Sequence, residues 1–217
     1  MIILTPDSRY SFRGRDGSPT DATVVRETWS ENVYQIHASD FHDTGVLIDL
    51  GANIGSVSVY AASLGEHIRV HAYEPEPENL ALLTDNLTAN GVADRVQIHP
   101  HVVTDWRGTA QIDPRHGNTR VVEYDEGLTV PCVELAEVLE TVGACDVLKI
   151  DIEGSEYDIF ADVDLSVLQR VRYLTMEFDA EPEPGAFGRM ITPIAEVFNT
   201  HVIGAPSRGG YIYGRRY

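Results

Sequence analysis

The sequence predicts an α/β fold: a mostly parallel sheet, helices on both faces, and a reversed strand at its C-terminal edge. Three observations predict it. From Val46 onward, short apolar runs alternate with stretches of helical period, the pattern of parallel strands joined by crossover helices. One run, VLIDL, passes straight into GANIG, a strand-to-helix turn at the carboxyl end of a strand, where such folds bind ligands. Two short extended pieces near the end, THVIG and GYIYG, are joined through the glycine-rich APSRGG. That link is too short for a parallel crossover and suits an antiparallel hairpin.

Length and composition set the frame for these elements. The 217 residues are 43% hydrophobic, enough apolar surface for one well-packed core. The expectation is a single domain spanning 1–217, with a lead-in segment 1–45, a ligand-binding core 46–178 and a C-terminal helix and hairpin 179–217. The first residues lack a basic start followed by an apolar run, and no run approaches the ~20 apolar residues of a membrane span. A soluble cytoplasmic protein is therefore expected, without membrane contact. Cys132 and Cys145 are too few and too far apart for a disulfide framework or a metal knuckle, and read as reduced core thiols. The net charge of −18 lies far outside the ~2 to 8 units usual for a small domain. Such an excess opposes docking on nucleic acid, whose phosphates need a basic face. Lys149 is the only lysine. This bias toward arginine reads as compositional drift or as adaptation to salt. Nothing in the sequence indicates an oligomer.

The elements follow in order. Before Val46 the chain is loop-like, with TPDSRYSFRGRDGSPTD near the start. VLIDL is the first core strand. Ile54, Val57, Ala61 and Leu64 then share a helical face that ends at Gly65, a candidate cap. IRVHAYE is the second strand, followed by a helix over 77–89 with Leu80, Leu83 and Leu87 on one side and Asn90-Gly91 closing it. RVQIHPHVV reads as the third strand. From Thr109 to Val130, QID and RVVEY flank the turn-rich DPRHGN and predict a β-hairpin insertion. VELAEVLETVG is an amphipathic helix, DVLKIDI the fourth strand and RYLTMEF the fifth. A helix, IAEVFNT, follows Pro193 and leads to the terminal hairpin. The outline is Rossmann-like.

The turn after the first strand identifies its ligand by what it lacks. Gly51 and Gly55 are spaced G-x-x-x-G, matching neither the G-x-G-x-x-G dinucleotide pattern nor the phosphate loop with its lysine. Asp49 puts a carboxylate just before the turn, which repels phosphate and favours a ligand bearing an ammonium and a sulfonium. S-adenosylmethionine carries both and has no phosphate. Glu74 closes the second strand 25 residues after Asp49, near the spacing at which an acidic residue takes ribose hydroxyls. Its two oxygens match the two donors of a diol. The cofactor-binding set is thus Asp49, Gly51, Asn53, Gly55 and Glu74. The plainer reading is that the glycines permit close strand and helix packing and Asp49 caps the helix.

Three blocks, VLIDLGANIGSVSVYAA, HAYEPEPENLALLTDNLTANG and LKIDIEGSEYDIF, resemble the FkbM family of S-adenosylmethionine-dependent methyltransferases in order and spacing from Val46 to about Phe178. RETWSENVY at 26–34 is similar to the family's lead-in. The resemblance implies a class I fold and a methyl donor. It further implies, usually, O-methylation of a hydroxyl on a sugar, polyketide or other small metabolite. It also implies that Asp105, after the third strand, lies near the adenine amine.

The chemistry is expected in LKIDIEG. Period-2 alternation puts Lys149, Asp151 and Glu153 on one face, and Asp151 at the strand end is the candidate base or acceptor-positioning group. Its other reading is a cap for the SEYDIF helix. Lys149 sits in an apolar run, where it either orients Asp151 or Glu153 or reaches water at an edge. Glu177 and Asp179 end the neighbouring strand. With Asp151 they resemble the acidic clusters that hold magnesium in some O-methyltransferases, but a cationic donor or a polyol explains them equally, and the metal-free reading is favoured. His99 and His101 flank Pro100 and can share one strand face, as a weak metal or base signal or as a solvated strand end. Tyr34 and Trp29 cover either the pocket or the sheet edge. The competing readings are a nucleic-acid or protein methyltransferase and a non-catalytic S-adenosylmethionine-binding module. The charge and the absence of a base-flipping tetrapeptide weigh against nucleic acid, and the presence of Asp49, Glu74 and Asp151 weighs against the module.

Overall fold

The computed structural model describes residues 1–42, 45–113, 120–122 and 127–217. The chain opens with a two-stranded ribbon, β1 (Ile2–Leu4) and β2 (Ser11–Arg13), then helix α1 (Pro19–Arg26) and a π-type turn over Glu27–Glu31. Ser18 starts α1 by accepting from the Asp21 amide, with Pro19 pre-set in the first turn. Asn86 and Asn90, on the core side of the molecule, hold β2 through the amides of Arg13 and Ser11.

The core begins with β3 (Val46–Leu50), α2 (Ser56–Ser63), β4 (Arg69–Tyr73), α3 (Pro77–Ala89) and β5 (Val96–His99). An insertion follows, made of β6 (Val102–Thr104), β7 (Gly108–Asp113), β8 (Arg120–Val122) and β9 (Leu128–Glu134). Then come α4 (Leu135–Val142), β10 (Cys145–Ile150), α5 (Glu156–Ala161), α6 (Leu165–Leu168), β11 (Val171–Phe178), α7 (Ala186–Val197), β12 (Phe198–Ala205) and β13 (Gly209–Arg216).

Seven strands form the main sheet in the order β12-β13-β11-β10-β3-β4-β5. β11, β10, β3, β4 and β5 run parallel, and β13 runs antiparallel to both β11 and β12. Alternation divides the core. Ile48, Leu50, Leu148 and Ile150 point into a cluster covered by α4 to α7, while Leu47 and Val147 point into one covered by the N-terminal segment, α2 and α3. Helices therefore cover both faces. Among the described residues, no helix is long and apolar enough to cross a membrane.

Three expectations change. RVQIHPHVV is not one strand: it breaks at Pro100, which has no N–H to give a ladder, and β6 leaves to pair with β9 in a separate four-stranded sheet, β6-β9-β7-β8. The expected hairpin, β7 with β8, belongs to this sheet and is extended by β9, while residues 114–118 of its turn and 123–124 lie outside the described residues. The helix after β3 ends at Ser63 with a right-handed Leu64 as cap, and Gly65 is not left-handed. The last helix starts at Ala186 and carries Pro193 inside it.

Candidate functional site

The site grows from the ends of β3, β4 and β10. After Leu50 the chain turns through Gly51 at φ +76, and the amides of Gly51 and Ala52 both donate to the Tyr73 carbonyl at 3.0 Å, tying the turn to β4. A Cβ at Gly51 would lie 1.8 Å from the Asp151 carbonyl oxygen, so only glycine lets the ends of β3 and β10 approach this closely. Gly55, at φ +89, precedes α2 with Leu83 of α3 packed against it.

Beneath the turn lies a buried ion pair. The Lys149 ammonium, 2% exposed, is 3.2 Å from the Asp49 carboxylate and donates to the carbonyls of Leu50 at 3.2 Å and Gly51 at 2.7 Å. Ser58 of α2 donates to the other Asp49 oxygen at 2.7 Å. Burial works against the lysine's charge, but Asp49 and Asp151 outweigh it and hold its pKa above the usual value. This corrects the reading of Asp49: its carboxylate is fully buried, lines neither hollow of the site, and is already matched by a cation. The turn does have a lysine, supplied by β10.

Two hollows meet at this point, sharing Gly51, Asn53 and Asp151 as a common floor. The larger, about 570 Å³, has Glu74 and Asn79 at its polar end and Val102, Val103 and Ile112 as an apolar wall supplied by the insertion. Glu74 accepts from the amides of Asn53 at 2.8 Å and Glu76 at 2.9 Å, and from the Asn79 side chain at 3.2 Å. Burial pushes its carboxyl up to about 7 against these hydrogen bonds. The smaller hollow, about 300 Å³, is bordered by Glu27, Thr28, Tyr34, Ser56, Lys149 and Asp151.

Asp151 lies one residue beyond the end of β10 and accepts from the Tyr34 hydroxyl at 2.8 Å, with the Lys149 ammonium at 3.7 Å. It does not cap α5. No side chain caps it: Ser155 stands at the N-cap without a side-chain bond, and Glu156, the first residue of the helix, accepts instead from the amides of Ile152 and Gly154 in the loop before it, with burial pushing its carboxyl up to about 7. Glu153 does not continue the strand alternation. Its φ is +56, and it reaches the larger hollow from the loop instead.

The other expected residues divide. Asp105 sits exposed past β6 and lines neither hollow, because the chain leaves the main sheet at Pro100 and Val102 and Val103 take the wall in its place. Glu177 faces the Tyr34 hydroxyl at 3.4 Å, and burial, Asp151 and Glu27 push it up to about 8. The Asp179 carbonyl receives the Tyr157 hydroxyl. Among the described residues, no group of three or more His, Cys, Asp or Glu is placed to hold a metal ion. His99 and His101 do not share a strand face: His99 stacks on Tyr73 at 4.3 Å with its Nε2 3.1 Å from His71 Nδ1, and burial pushes it down to about 4, while His101 borders the larger hollow. Tyr34 reaches the site, but Trp29 packs on Tyr10 and Tyr60 in the N-terminal layer.

Sequence reasoning missed Asn79, Ser56, Glu27 and the apolar wall. Ser56 follows Gly55 directly and Asn79 ends PEPEN, positions visible in the motifs but without a charge to mark them. Both carry a buried polar atom with no hydrogen-bond partner, Ser56 Oγ and Asn79 Oδ1, each in a residue that borders a hollow. Such atoms are costly unless a ligand meets them. With the Glu74 carboxylate and the apolar wall, they form a donor and acceptor set that fits a nucleoside bearing an amino-acid tail.

Comparison with known proteins gives a consistent picture. The family model of the methyltransferase FkbM domain matches residues 49–206. The 31-O-demethyl-FK506 methyltransferase FkbM of Streptomyces tacrolimicus is 25% identical over 203 aligned residues, covering 77% of this chain and 77% of its own. Methyltransferase sdnD of Sordaria araneosa is 23% identical over 191, covering 71% and 73%. Among solved structures, methyltransferase FkbM from Methylobacillus flagellatus superposes with a TM-score of 0.56 at 16% identity, over 93% of this chain and 55% of that one. A precorrin-6y C5,15-methyltransferase from Geobacter metallireducens gives 0.52 at 15%, over 95% and 94%. At these identities the structural likeness speaks for the fold.

Proposed function

Because the chain belongs to the FkbM family of S-adenosylmethionine-dependent methyltransferases, with their class I fold, we propose that it methylates a hydroxyl oxygen on a small polar metabolite such as a sugar or polyketide. The observation that carries this reading is the position of Asp151 on the floor common to both hollows. The Streptomyces relative, named for methylation at an oxygen, supports it. We read residues 1–217 as one catalytic unit, since the lead-in contributes Glu27 and Tyr34 to the same site as the core.

When bound, S-adenosylmethionine supplies a methyl carbon on a cationic sulfur that leaves as a neutral thioether. The residues present suit each part of it. Glu74 would accept the ribose diol, Asn79 Oδ1 and Asn53 would complete the polar end, and Val102, Val103 and Ile112 would cover the base. At the other end, the first turn of α2 and the Ser56 hydroxyl favour a carboxylate, while Glu27 and Asp151 favour an ammonium. Lys149 holds the turn through two carbonyls and so keeps fixed the backbone against which the donor would lie. Asp151 and Glu153 reach the remaining open side, and Asp151 takes the proton that an acceptor hydroxyl gives up as its oxygen attacks. Alignment in a dry pocket supplies the rest of the acceleration.

The test is Asp151→Asn, assayed by transfer of a labelled methyl group to polyhydroxylated acceptors. Turnover should fall by ~10² to 10⁴, the usual contribution of general-base catalysis, with donor affinity by calorimetry nearly unchanged and chelator without effect. Wild-type turnover in the variant, or a product methylated on nitrogen or carbon, would overturn the assignment.

A further inference from the structure

Tyr34 lies outside the family-matched segment 49–206, yet its hydroxyl stands between two carboxyl groups, 2.8 Å from Asp151 Oδ2 and 3.4 Å from Glu177 Oε2. We propose that Tyr34 couples these two groups so that they hold one proton between them, Glu177 carrying it and Asp151 standing ionised as the group that meets the acceptor. The proposal rests on the reading of Asp151 as the base and assigns it a partner.

The register of the sheet forces the pairing. Ile150 of β10 stands opposite Met176 of β11, so the next residues, Asp151 just past β10 and Glu177 near the end of β11, follow from neighbouring parallel strands on the same face. Two carboxyl groups that meet the same hydroxyl, at 2.8 and 3.4 Å, and are partly closed off from water do not both ionise cheaply, and one keeps a proton. The surroundings decide which. Asp151 has the shorter bond from Tyr34 and the Lys149 ammonium at 3.7 Å. Glu177 is farther from these donors and is pushed up to about 8, by burial first, then by Asp151 and by Glu27 beyond the end of α1. Lys149 and a hydrogen bond with Tyr211 of β13 act in the opposite direction and do not prevail.

Tyr34 is held for this task. Its carbonyl receives the Tyr173 hydroxyl at 2.9 Å, its ring meets Tyr211 edge-on at 6.1 Å, and the Lys149 ammonium lies 5.2 Å from its centroid. Its own pKa is pushed well above the usual tyrosine range, by burial and by the two carboxyl groups, so it acts as a hydroxyl donor and not as a phenolate. In the resting chain Glu177 O–H donates to the Tyr34 oxygen and Tyr34 O–H donates to Asp151. During transfer the acceptor oxygen forms its bond to the methyl carbon, the carbon–sulfur bond breaks with its electron pair going to sulfur, and the hydroxyl proton passes to Asp151. The pair then holds two protons, and the second is released to solvent. A protonated Glu177 keeps one negative charge out of the hollow and leaves Asp151 the charge that faces the acceptor oxygen.

The experiment is a pH titration of side-chain carboxyl carbons by NMR in the full-length ¹³C-labelled protein without donor or acceptor, with Glu177 assigned through its own bonds so that no variant is required. Glu177 is expected to titrate near pH 8, and an exchange-protected Tyr34 hydroxyl proton should shift with the same midpoint and vanish in Tyr34→Phe. Asp151→Asn should lower the Glu177 midpoint by about 1 to 3 units by removing the neighbouring charge. A Glu177 midpoint near the ordinary ~4.3, or one that Asp151→Asn leaves unmoved, overturns the coupling. Failure of the underlying reading looks different: the titrations would be as described while Asp151→Asn still turned over acceptor at the wild-type rate.

Discussion

At the scale of single residues the decisive pair is Lys149 and Asp49. Asp49 is fully buried and Lys149 nearly so, and a buried charge stripped of its partner typically costs about 3 to 5 kcal/mol. Lys149→Met is therefore expected to lower the free energy of unfolding by about that amount in urea titrations, while the double variant with Asp49→Leu recovers most of the loss. A single-variant cost below about 1 kcal/mol would mean that water reaches Asp49. The sequence showed both residues but not their bond. Lys149 was marked by its apolar neighbours and Asp49 by the turn after it, whereas their meeting depends on β3 and β10 being adjacent in the sheet. The place of Glu74 beside the turn was legible because its spacing from the turn follows from one strand–helix–strand unit. Asp105 was misplaced for the converse reason, since it lies beyond a break that the expected continuous strand did not contain.

At the scale of elements, the turn between β3 and α2 has the least freedom. Gly51→Ala would drive a methyl group into the Asp151 carbonyl at 1.8 Å, at a φ that strains any other residue. The variant should lose donor binding by calorimetry and melt at a lower temperature than wild type, and unchanged affinity would show that the strand ends separate without consequence. Most elements were readable because burial repeats with the period of the backbone, as in α3, whose bounds agree with the expected 77–89. Proline misled the reading twice, in opposite directions. Pro100 ended a strand that its apolar neighbours seemed to continue. Pro193 did not begin a helix but sits inside one, because Ala186, Met190, Ile194 and Val197 bury one face of α7, and several buried side chains at about 1.5 to 3 kcal/mol each outweigh a cost of about 3 kcal/mol for the proline. The apolar wall of the larger hollow was not legible, since Ile112 of β7 comes to line the same hollow as Glu74 only through the placement of the separate sheet.

At the scale of the whole molecule, buried titrating groups set a pH dependence with a definite sign. Burial raises the carboxyls of Glu74 and Glu156 from 4.5 to about 7 and, with Asp151 and Glu27, raises Glu177 to about 8. The folded chain thus holds more protons than the unfolded chain between these values, and the contribution present below pH 4.5 is lost as pH rises through 7 to 8. Burial lowers His71 and, with help from the neighbouring histidines, His99, which opposes this trend below the ordinary histidine value of 6.5. Above it only the carboxyls remain. The melting temperature should therefore fall between pH 6.5 and 8, measured at high salt to screen the acidic surface, and a flat or rising curve would contradict the burial of Glu74 and Glu156. One further consequence comes from the lone lysine. Its ammonium is sealed under the turn at 2% exposure, and no other side chain in the sequence offers an ε-amine. The chain therefore carries a built-in chemical clock: an amine-acylating reagent can modify Lys149 only when the layer between Tyr34 and β10 parts. The rate of acylation at Lys149, read by peptide mass apart from the exposed N-terminal amine of Met1, should report how often the floor of the site opens, and it should slow when S-adenosylmethionine is present.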